Sequence, residues 1–566
     1  MEKLKGIQLR FQEKVNQHNI KFLKIAIIIL ISISLFVVSL IIKNKVSIWY
    51  WDIHGQGFYW TNPELFGKKY EGIVWYIEAY VDASYYYEPY LQSFRFENWN
   101  PYAGGPGPLN GYAYGPMFIF GLYFISLFVS LFYPNMPISE LVPLSVKWTH
   151  ITFDSLSVVM VYLIVVFLKT FKKSELKKHC YGFLVASIFA FMPINLIYVD
   201  SLYLNTPQMT FFTLLSLLLF IKDRYRVGAF MLSIAWLTKQ MPLFLLIPWF
   251  FIVWKKKSLK SAFLDYLFPF LLTTFIISLP WLILTPKSYL VRVFGPGRPY
   301  KQFNVETALD ASFNGWTVTL AHSFLYLGCE KLAVFYYTIN KYMIPFVIFY
   351  ALAVIIAYFN GEKIGNNESH QIIFTTWVLI NTHLFISRGI YKYYNSFLTP
   401  FVVISLLVFF DDVIPRIIKK TYEYSAKKTK NQLNIDKSNQ KNMDHNNKYF
   451  AVIFHISLII TFLGSCAAFY YFNYVLIINS RHLHPLYLLI LFVIMSLLIV
   501  PSFYFSIFKS ENYKMTWNDI KYIYAESKSG IVLFTESTQK TTSTLYVKVK
   551  TKLMKFKSKF QKKKND

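Results

Sequence analysis

KIAIIILISISLFVVSLII, residues 24–42, decides the fold class of this chain. As a helix the stretch is long enough to cross a hydrocarbon core of ~30 Å, and it carries no charge after Lys24. A second such run, HPLYLLILFVIMSLLIVPSFYFSIF (484–508), lies near the other end of the sequence. Charged residues make up 16% of the chain, against about 25% in soluble domains. We therefore expect an all-α, polytopic membrane protein.

The net charge of +28 raises the question of nucleic-acid binding. The basic residues stand in short segments between or after the apolar runs, which is typical of cytoplasmic loops, and no groove-reading module accompanies them. We expect membrane lipids, and no nucleic acid, among the partners. The three cysteines, Cys180, Cys329 and Cys466, have neither disulfide nor metal-ligand spacing. No cofactor or metal is indicated, although use of a divalent metal stays open.

The basic residues predict the topology. Residues 1–23 carry Lys and Arg ahead of the first apolar run. That run is too long for a cleavable signal and lacks a cleavage site, so we expect a signal anchor with a cytoplasmic N-terminus. The segment KTFKKSELKKH (169–179), with five lysines, falls on the cytoplasmic side only if GPMFIFGLYFISLFVSLFYP (115–134) is not a span. We therefore interpret 115–134 as a helix that lies along or dips into the outer surface.

About twelve spans result, with both termini in the cytoplasm. Besides 24–42 they are expected near 149–168, 180–198, 204–221, 227–239, 241–254, 262–285, 333–358, 372–387, 396–410, 450–477 and 484–508. The predicted organisation is a cytoplasmic N-terminus (1–23), a membrane module (24–410) with two outer loops (43–148 and 286–332), a cytoplasmic linker (411–449), a terminal pair of spans (450–508) and a basic cytoplasmic tail (509–566). Polar chemistry is expected in the large outer loop.

Acidic and aromatic residues crowd that outer loop. Written as a helix, EAYVDASYYYEPYLQSF (78–94) places Glu78, Asp82, Tyr85 and Tyr86 on one face. Two carboxylates at i and i+4 repel each other, and nearby lipid or protein would desolvate them. Both effects raise a carboxyl pKa toward the range of a general base. Alternatively, the segment is a solvated amphipathic surface helix. Asp82 is our candidate base, with Glu78 in reserve.

The residues that follow resemble a known family. ENWNPYAGGPGPLNGYAYGPMF (97–118) holds an Asn-Pro turn, a Gly-Pro loop and then Tyr114-Gly115-Pro116 at the head of the apolar helix. This order resembles the first outer loop of the GT-C superfamily of polyprenyl-phosphate-sugar-dependent glycosyltransferases, which includes the dolichol-phosphate-glucose glucosyltransferases and the GPI mannosyltransferases. Asp82 matches the family aspartate. The Tyr-Gly-Pro segment matches the family's Tyr-Pro-Pro motif, with glycine in place of the first proline.

Further segments are similar to the family in the same order, over roughly residues 20–410. They are YVDSLYLNTPQ (198–208), a short outer turn; LTKQMPLFLLIP (237–248), similar to the Lys-Gln-Met motif of the glucosyltransferases; and FGPGRPYKQF…NGW (294–316), where the family has an arginine-containing loop followed by a tryptophan. The chain departs from the family near the tenth span. There a His-x-x-Lys-like motif is replaced by SRGIYKYYN (387–395).

The resemblance implies an enzyme that moves a hexose, mannose or glucose, from a polyprenyl-phosphate donor to a lipid-linked or surface acceptor with inversion, with Asp82 as the base. The residues expected to hold the donor phosphate are Arg388, Lys392, Lys239 and Arg298. Those expected to contact substrate are Glu78, Tyr114, Trp316 and Gln240. The membrane would be the cell membrane in a prokaryote and the endoplasmic reticulum membrane in a eukaryote.

The candidate phosphate-binding residues, and Gln240 beside Lys239, also have a simpler interpretation. Arg388 and Lys392 could be interfacial side chains whose charged ends snorkel to water. Lys239 and Gln240 could belong to a plain outer turn, and Arg298 to a mobile loop.

For the whole chain the alternative is a transporter or flippase for a lipid-linked sugar or another anionic solute. Such proteins place ionisable residues inside their spans near the bilayer midplane. Here the interiors of the predicted spans are almost free of charge, and Asp154 is a rare exception. This pattern favours surface chemistry over transport.

Overall fold

The computed structural model describes residues 2–54, 83–104, 112, 114–169, 175–293, 319–386, 394–415, 457–471, 473 and 484–507. Within them every regular element is a helix, as the all-α prediction requires. The chain divides into two compact units, Met1–Ser502 and Phe503–Asp566, and the contacts discussed below lie in the first. The finer domain boundaries at residues 410 and 449 stay predictions.

We number the helices in chain order. They are α1 (Glu2–His54), α2 (Glu88–Phe96), α3 (Pro116–Phe132), α4 (Ile138–Phe167), α5 (Glu175–Ala190), α6 (Pro207–Ile221), α7 (Tyr225–Thr238), α8 (Leu246–Lys256), α9 (Leu259–Leu284), α10 (Pro286–Val293), α11 (Leu320–Tyr326), α12 (Glu330–Lys341), α13 (Ile344–Gly365), α14 (Glu368–Phe385), α15 (Asn395–Val408), α16 (Ser457–Tyr471) and α17 (His484–Ile507). Short turns adjoin several of them: π-helical turns at Ala83–Tyr87, Asn195–Val199 and Phe409–Val413, and a 3-10 turn at Met241–Leu245.

Five helices are long and apolar enough to cross a membrane. They are Phe22–Tyr50 within α1, Ile138–Phe167, Leu259–Leu284, Ile344–Gly365 and Asn395–Val413. Shorter apolar helices include α3, α6 and α16. The described chain thus has the composition of an α-helical membrane protein, and about twelve spans stay a prediction.

Ion pairs gather at one end of the helical bundle. They are Lys24–Glu175 (3.4 Å), Lys177–Asp411 (2.6 Å), Lys222–Glu368 (3.5 Å), Arg226–Asp265 (2.6 Å) and Lys256–Asp223 (2.5 Å). We call these residues the charged end. Glu175 and Glu368 stand in the first turns of α5 and α14, so these two helices run away from the charged end. Lys222 and Lys256 stand at the ends of α6 and α8, so these two run toward it. The basic segments around 169–179, 222–226 and 255–257, all predicted to be cytoplasmic, contribute to this one end.

Helix α3 contains the predicted surface segment, and the contacts described for it lie at the opposite end. Phe118 packs on Tyr87 with ring centroids 5.0 Å apart. Phe120 packs on Trp281, near the last turn of α9, at 6.4 Å. Toward its C-terminus α3 exposes apolar side chains such as Phe128. A span would continue to the charged end, so these contacts agree with a helix at the outer surface.

The helices depart from several predicted span boundaries. α4 begins at Ile138, well before the expected start at residue 149. α1 runs without a break to His54, past the expected end at residue 42, because Lys43 is buried against acidic side chains instead of facing water. The span expected at 333–358 is two helices, α12 and α13. They are separated at Met343, whose φ of 57° is left-handed, and Pro345 then occupies the first turn of α13, a position that proline favours.

Gly115, which replaces the first proline of the family motif, sits at the head of α3 against α7. A Cβ at this position would overlap the main-chain carbonyl of Leu237 and come within 2.7 Å of its Cα. The φ of −71° is ordinary, so the constraint is space. We expect Gly115→Ala to lower the free energy of unfolding by about 3 kcal/mol, measured by thermal unfolding in lipid.

The control for Gly115→Ala is Gly464→Ala on α16, where a Cβ would meet nothing within 4 Å. That change is expected to raise stability by about 0.5–1 kcal/mol because alanine favours a helix interior over glycine. Equal effects of the two substitutions would contradict the packing of α3 on α7.

Candidate functional site

Lys239 lies inside the protein at the end opposite to the charged end. It follows α7, where the chain passes through extended backbone (φ −158°, ψ 146°) into the 3-10 turn before α8. The side chain is 4% exposed. Its Nζ donates to Asn205 Oδ1 at 2.5 Å and lies 3.9 Å from the ring centroid of Tyr394. Lys239 is therefore an interior group, unlike a lysine on a solvent-exposed turn.

Segments singled out in the sequence meet around Lys239. Asn205 belongs to YVDSLYLNTPQ, and Tyr394 belongs to SRGIYKYYN. Gly115 of the Tyr-Gly-Pro segment packs on Leu237, two residues before Lys239. Four parts of the chain that resemble, or replace, family motifs are thus brought together at one place.

His383, on the last turn of α14, is a member of this site that the sequence analysis did not single out. It is 1% exposed, its ring centroid lies 5.4 Å from that of Tyr394, and it interacts electrostatically with Lys239. Within the described part of the chain neither ring nitrogen has a hydrogen-bond partner. α14 carries a second histidine, His370, and several other polar residues, so nothing in the local sequence singles out His383. We call Asn205, Lys239, His383 and Tyr394 the Lys239 cluster.

The Lys239 cluster is chemically suited to an oxyanion. An ammonium group makes short, strong hydrogen bonds to phosphate oxygens, and the face of Tyr394 favours a cation beside it. An imidazole can donate from one nitrogen and accept at the other. Leaving buried nitrogens unpaired costs about 1–3 kcal/mol each, so His383 offers binding groups for a polar ligand. A phosphate bearing hydroxyl-rich substituents matches these groups.

Gln240 and Tyr114, both predicted to contact substrate, have structural contacts at the same end. Gln240 Nε2 donates to the carbonyl of Val293, the last residue of α10, at 3.3 Å. The Tyr114 carbonyl accepts from the Tyr102 hydroxyl at 2.8 Å, and its ring packs on Phe118 at 4.8 Å. Their roles in substrate binding stay predictions.

The remaining predicted site residues lie outside the described residues. They are Asp82, Glu78, Arg298, Trp316, Arg388 and Lys392. The described chain resumes at Ala83, which is buried. Four residues further on, the Tyr87 ring stacks on His150 of α4 at 5.8 Å, and His150 lies 6.3 Å from the ring of Tyr203. The segment that follows Asp82 is therefore connected, through His150, to the turn that supplies Asn205.

Glu88, the first residue of α2, is a further carboxyl in the outer loop. Burial raises its pKa to about 7, because the charged form loses hydration. A carboxyl that titrates near neutral pH can act as a general base. Glu88 therefore joins Asp82 and Glu78 as an acidic candidate, although the sequence analysis did not name it.

The raised pKa of Glu88 predicts a pH dependence of stability. Its folded-state pKa of about 7 exceeds the ordinary value of 4.5, so the folded chain binds the proton more tightly than the unfolded chain. The stabilisation is present below about pH 4.5 and is lost as the pH rises through 7. We expect Glu88→Gln to be more stable than wild type at pH 8, by at most about 3 kcal/mol, and similar to it at pH 4.5.

Thermal unfolding across this pH range measures the effect of Glu88→Gln. Glu140→Gln, which removes an exposed carboxylate at the start of α4, is the control for the loss of one charge. A Glu88→Gln curve parallel to that of wild type would contradict the burial of this carboxyl.

A second group of buried polar residues lies between α1, α4 and the π-helical turn after α5. Lys43 Nζ donates to the carboxylates of Asp154 and Asp200, to the latter at 2.8 Å. Asn195 Nδ2 donates to Asp154 Oδ1 at 3.2 Å. All four side chains are buried, and we call them the Lys43 cluster. Asp154 is thus not the isolated exception that the sequence analysis took it to be.

Comparison with protein-family models and with curated proteins finds no match for this chain. Among the described residues, no three or more His, Cys, Asp and Glu side chains are grouped to hold a metal ion. The predictions on family and cofactors therefore stay predictions.

Proposed function

We propose that this protein is a membrane glycosyltransferase of the GT-C type, which moves a hexose from a polyprenyl-phosphate donor to a lipid-linked or surface acceptor. The observation that carries the proposal is the Lys239 cluster. It gathers a buried ammonium group with residues of the motif-like segments 198–208 and 237–248, and with Tyr394 of SRGIYKYYN, at the end opposite to the charged end. That is the end where the sequence predicts surface chemistry.

The proposed reaction is a single displacement. The acceptor hydroxyl gives its proton to the Asp82 carboxylate while its oxygen forms a bond to the anomeric carbon. The bond between that carbon and the phosphate oxygen breaks, and the electron pair leaves with the polyprenyl phosphate. Attack opposite to the leaving group inverts the anomeric centre. General-base assistance contributes roughly 10²–10⁴-fold to such a step.

The departing phosphate needs positive charge, which Lys239 is proposed to supply. The predicted partners Arg388 and Lys392 precede Tyr394, whose ring lies on Lys239. Arginine can hold phosphate with two parallel hydrogen bonds. Arg298 is proposed to clamp the donor from the loop that follows α10. Glu78, Tyr114, Trp316 and Gln240 are proposed to contact the sugar or the acceptor.

A transporter or flippase for the lipid-linked sugar is the second candidate. The Lys43 cluster favours it, because ionisable residues inside a membrane bundle often mark a transport pathway. Against it, the Lys239 cluster lies at the end where the sequence predicts surface chemistry, and within the described residues the ring nitrogens of His383 have no hydrogen-bond partner.

A transfer assay tests the enzyme. Purified protein in lipid is given a panel of polyprenyl-phosphate mannose, glucose and other hexose donors together with lipid-linked acceptors. We expect one donor to be consumed, with release of polyprenyl phosphate and a glycosylated acceptor of inverted configuration. Retention of configuration, or no consumption of any donor, would contradict the proposal.

A further inference from the structure

The Lys43 cluster has an unbalanced charge. The ammonium group of Lys43, on α1, faces two carboxylates. One belongs to Asp154 on α4, and the other to Asp200, the residue after the π-helical turn Asn195–Val199. Fully ionised, the cluster would hold a net charge of −1 away from water. An uncompensated buried charge costs several kcal/mol, so a further positive charge is expected at this place.

Among the described residues, the other titratable groups that pack on the cluster do not supply that charge. His150 lies one turn before Asp154 on α4, but its Nδ1 bonds to the carbonyl of Val146 at 2.8 Å and its ring stacks on Tyr87. The Tyr203 hydroxyl bonds to Ser47 Oγ at 2.8 Å. Tyr198, on the same turn as Asn195, carries no positive charge.

Two oxygen atoms of the cluster show where the missing charge belongs. Asp200 Oδ1 and Asn195 Oδ1 are buried and accept no hydrogen bond from the described part of the chain. The other carboxylate oxygens are already engaged, with Lys43 or with the Asn195 amide. A protonated carboxyl would both cancel the charge and provide a new hydrogen-bond donor.

The number of oxygens decides between a proton and a metal cation. A hard cation such as Ca²⁺ takes six to eight oxygen ligands, and Mg²⁺ takes six. Lys43 and the Asn195 amide donate hydrogen bonds to the other oxygens of the cluster, so within the described residues two buried oxygens remain without a donor, Asp200 Oδ1 and Asn195 Oδ1. A proton needs one oxygen to bind and one to receive its hydrogen bond.

We propose that Lys43, Asp154 and Asp200 form a buried proton-binding site, in which the carboxyl pair holds one proton in the folded protein at neutral pH. The proton comes from water, converts one carboxylate into a carboxylic acid and returns to water on unfolding. This site is separate from the proposed transfer reaction.

Infrared spectroscopy of the full-length protein in lipid at pH 7 tests the site. Because Glu88 also titrates near pH 7, all spectra are recorded in a Glu88→Gln background. There, the parent is expected to show the carbonyl stretching band of a protonated carboxylic acid that Asp154→Asn and Asp200→Asn both lack, because a neutral side chain balances the cluster without a proton. Asp265→Asn, which breaks the exposed pair with Arg226 (2.6 Å), is the matched control and is expected to keep the band. Persistence of the full band in both cluster variants would overturn the proposal.

The pH dependence of unfolding gives a second readout. The folded chain carries a proton that the unfolded chain releases above about pH 5, so stability falls as the pH rises. This site alone raises the unfolding equilibrium constant by up to tenfold per pH unit. We expect the dependence of the unfolding free energy on pH to be shallower in Asp200→Asn by the contribution of one bound proton. Asp265→Asn is expected to keep the slope of wild type.

Three outcomes would overturn the proton site. One is an unchanged slope in both cluster variants. Another is a slope that disappears when Na⁺ is added, which would assign the charge to a metal cation. The third is failure of both Asp154→Asn and Asp200→Asn to fold, because variants that cancel the net charge are expected to be tolerated.

Discussion

Asp82→Asn is expected to lower the rate of sugar transfer by roughly 10²–10⁴-fold, the usual contribution of a general base. Asparagine has nearly the same shape as aspartate, but it cannot accept the proton that the acceptor hydroxyl loses. Donor binding should be unchanged, because the proposed phosphate site lies on other residues. The measurement is the single-turnover rate with the donor identified by the transfer assay, together with equilibrium binding of that donor.

Two carboxyl variants make the test of Asp82 specific. Glu78→Gln and Glu88→Gln remove the other acidic candidates of the outer loop one at a time. If Asp82→Asn keeps full activity while one of these loses it, the base has been assigned to the wrong carboxylate. If all three variants stay active, none of these three carboxyl groups is the base.

Lys239→Met is expected to weaken binding of polyprenyl phosphate by roughly tenfold to a hundredfold. A hydrogen bond to a charged group contributes about 1.5–3 kcal/mol, and about 1.4 kcal/mol corresponds to a factor of ten. Methionine keeps most of the side-chain volume and removes the ammonium group. The measurement is equilibrium binding of polyprenyl phosphate to protein in lipid, with thermal unfolding recorded in parallel.

Lys255→Met is the matched control for Lys239→Met. Lys255 also lies 3.9 Å from an aromatic ring, that of Tyr358, but it stands beside Lys256 of the charged end. The control therefore loses a lysine and the same kind of ring contact without touching the Lys239 cluster. Equal losses of binding in the two variants would show that general attraction by positive charge, and not the Lys239 cluster, holds the phosphate.

The sequence predicts the helical class and the charged end well, because both depend on local composition. Apolar runs give membrane helices, and lysine-rich segments such as 169–179 and 255–257 mark one side. The end of α1 was missed because Lys43 after an apolar run looks like an interfacial residue. Its partners Asp154 and Asp200 lie 111 and 157 residues further along the chain, where no local pattern reveals them.

The candidate site was predicted in part for the same reason. Lys239 stands out because it interrupts two apolar runs, and the structure places it beside Tyr394 and Asn205. His383 does not stand out, because α14 also carries Gln371, Asn381 and several threonines, and only its neighbours in space distinguish His383 from them. The break at Met343 was missed because the apolar residues before and after it were taken as one continuous run, although Asn340, Lys341 and Pro345 interrupt that run.

The measurement that tests the central claim most directly uses the protein in sealed lipid vesicles. A polyprenyl-phosphate hexose labelled in the sugar is supplied with its acceptor, and two quantities are followed together: label on the acceptor, and the side of the bilayer on which intact donor lies. The account predicts that label passes to the acceptor, that polyprenyl phosphate is released and that both are lost in Asp82→Asn. Intact donor that crosses the bilayer without any transfer of label would contradict it and assign the protein to transport.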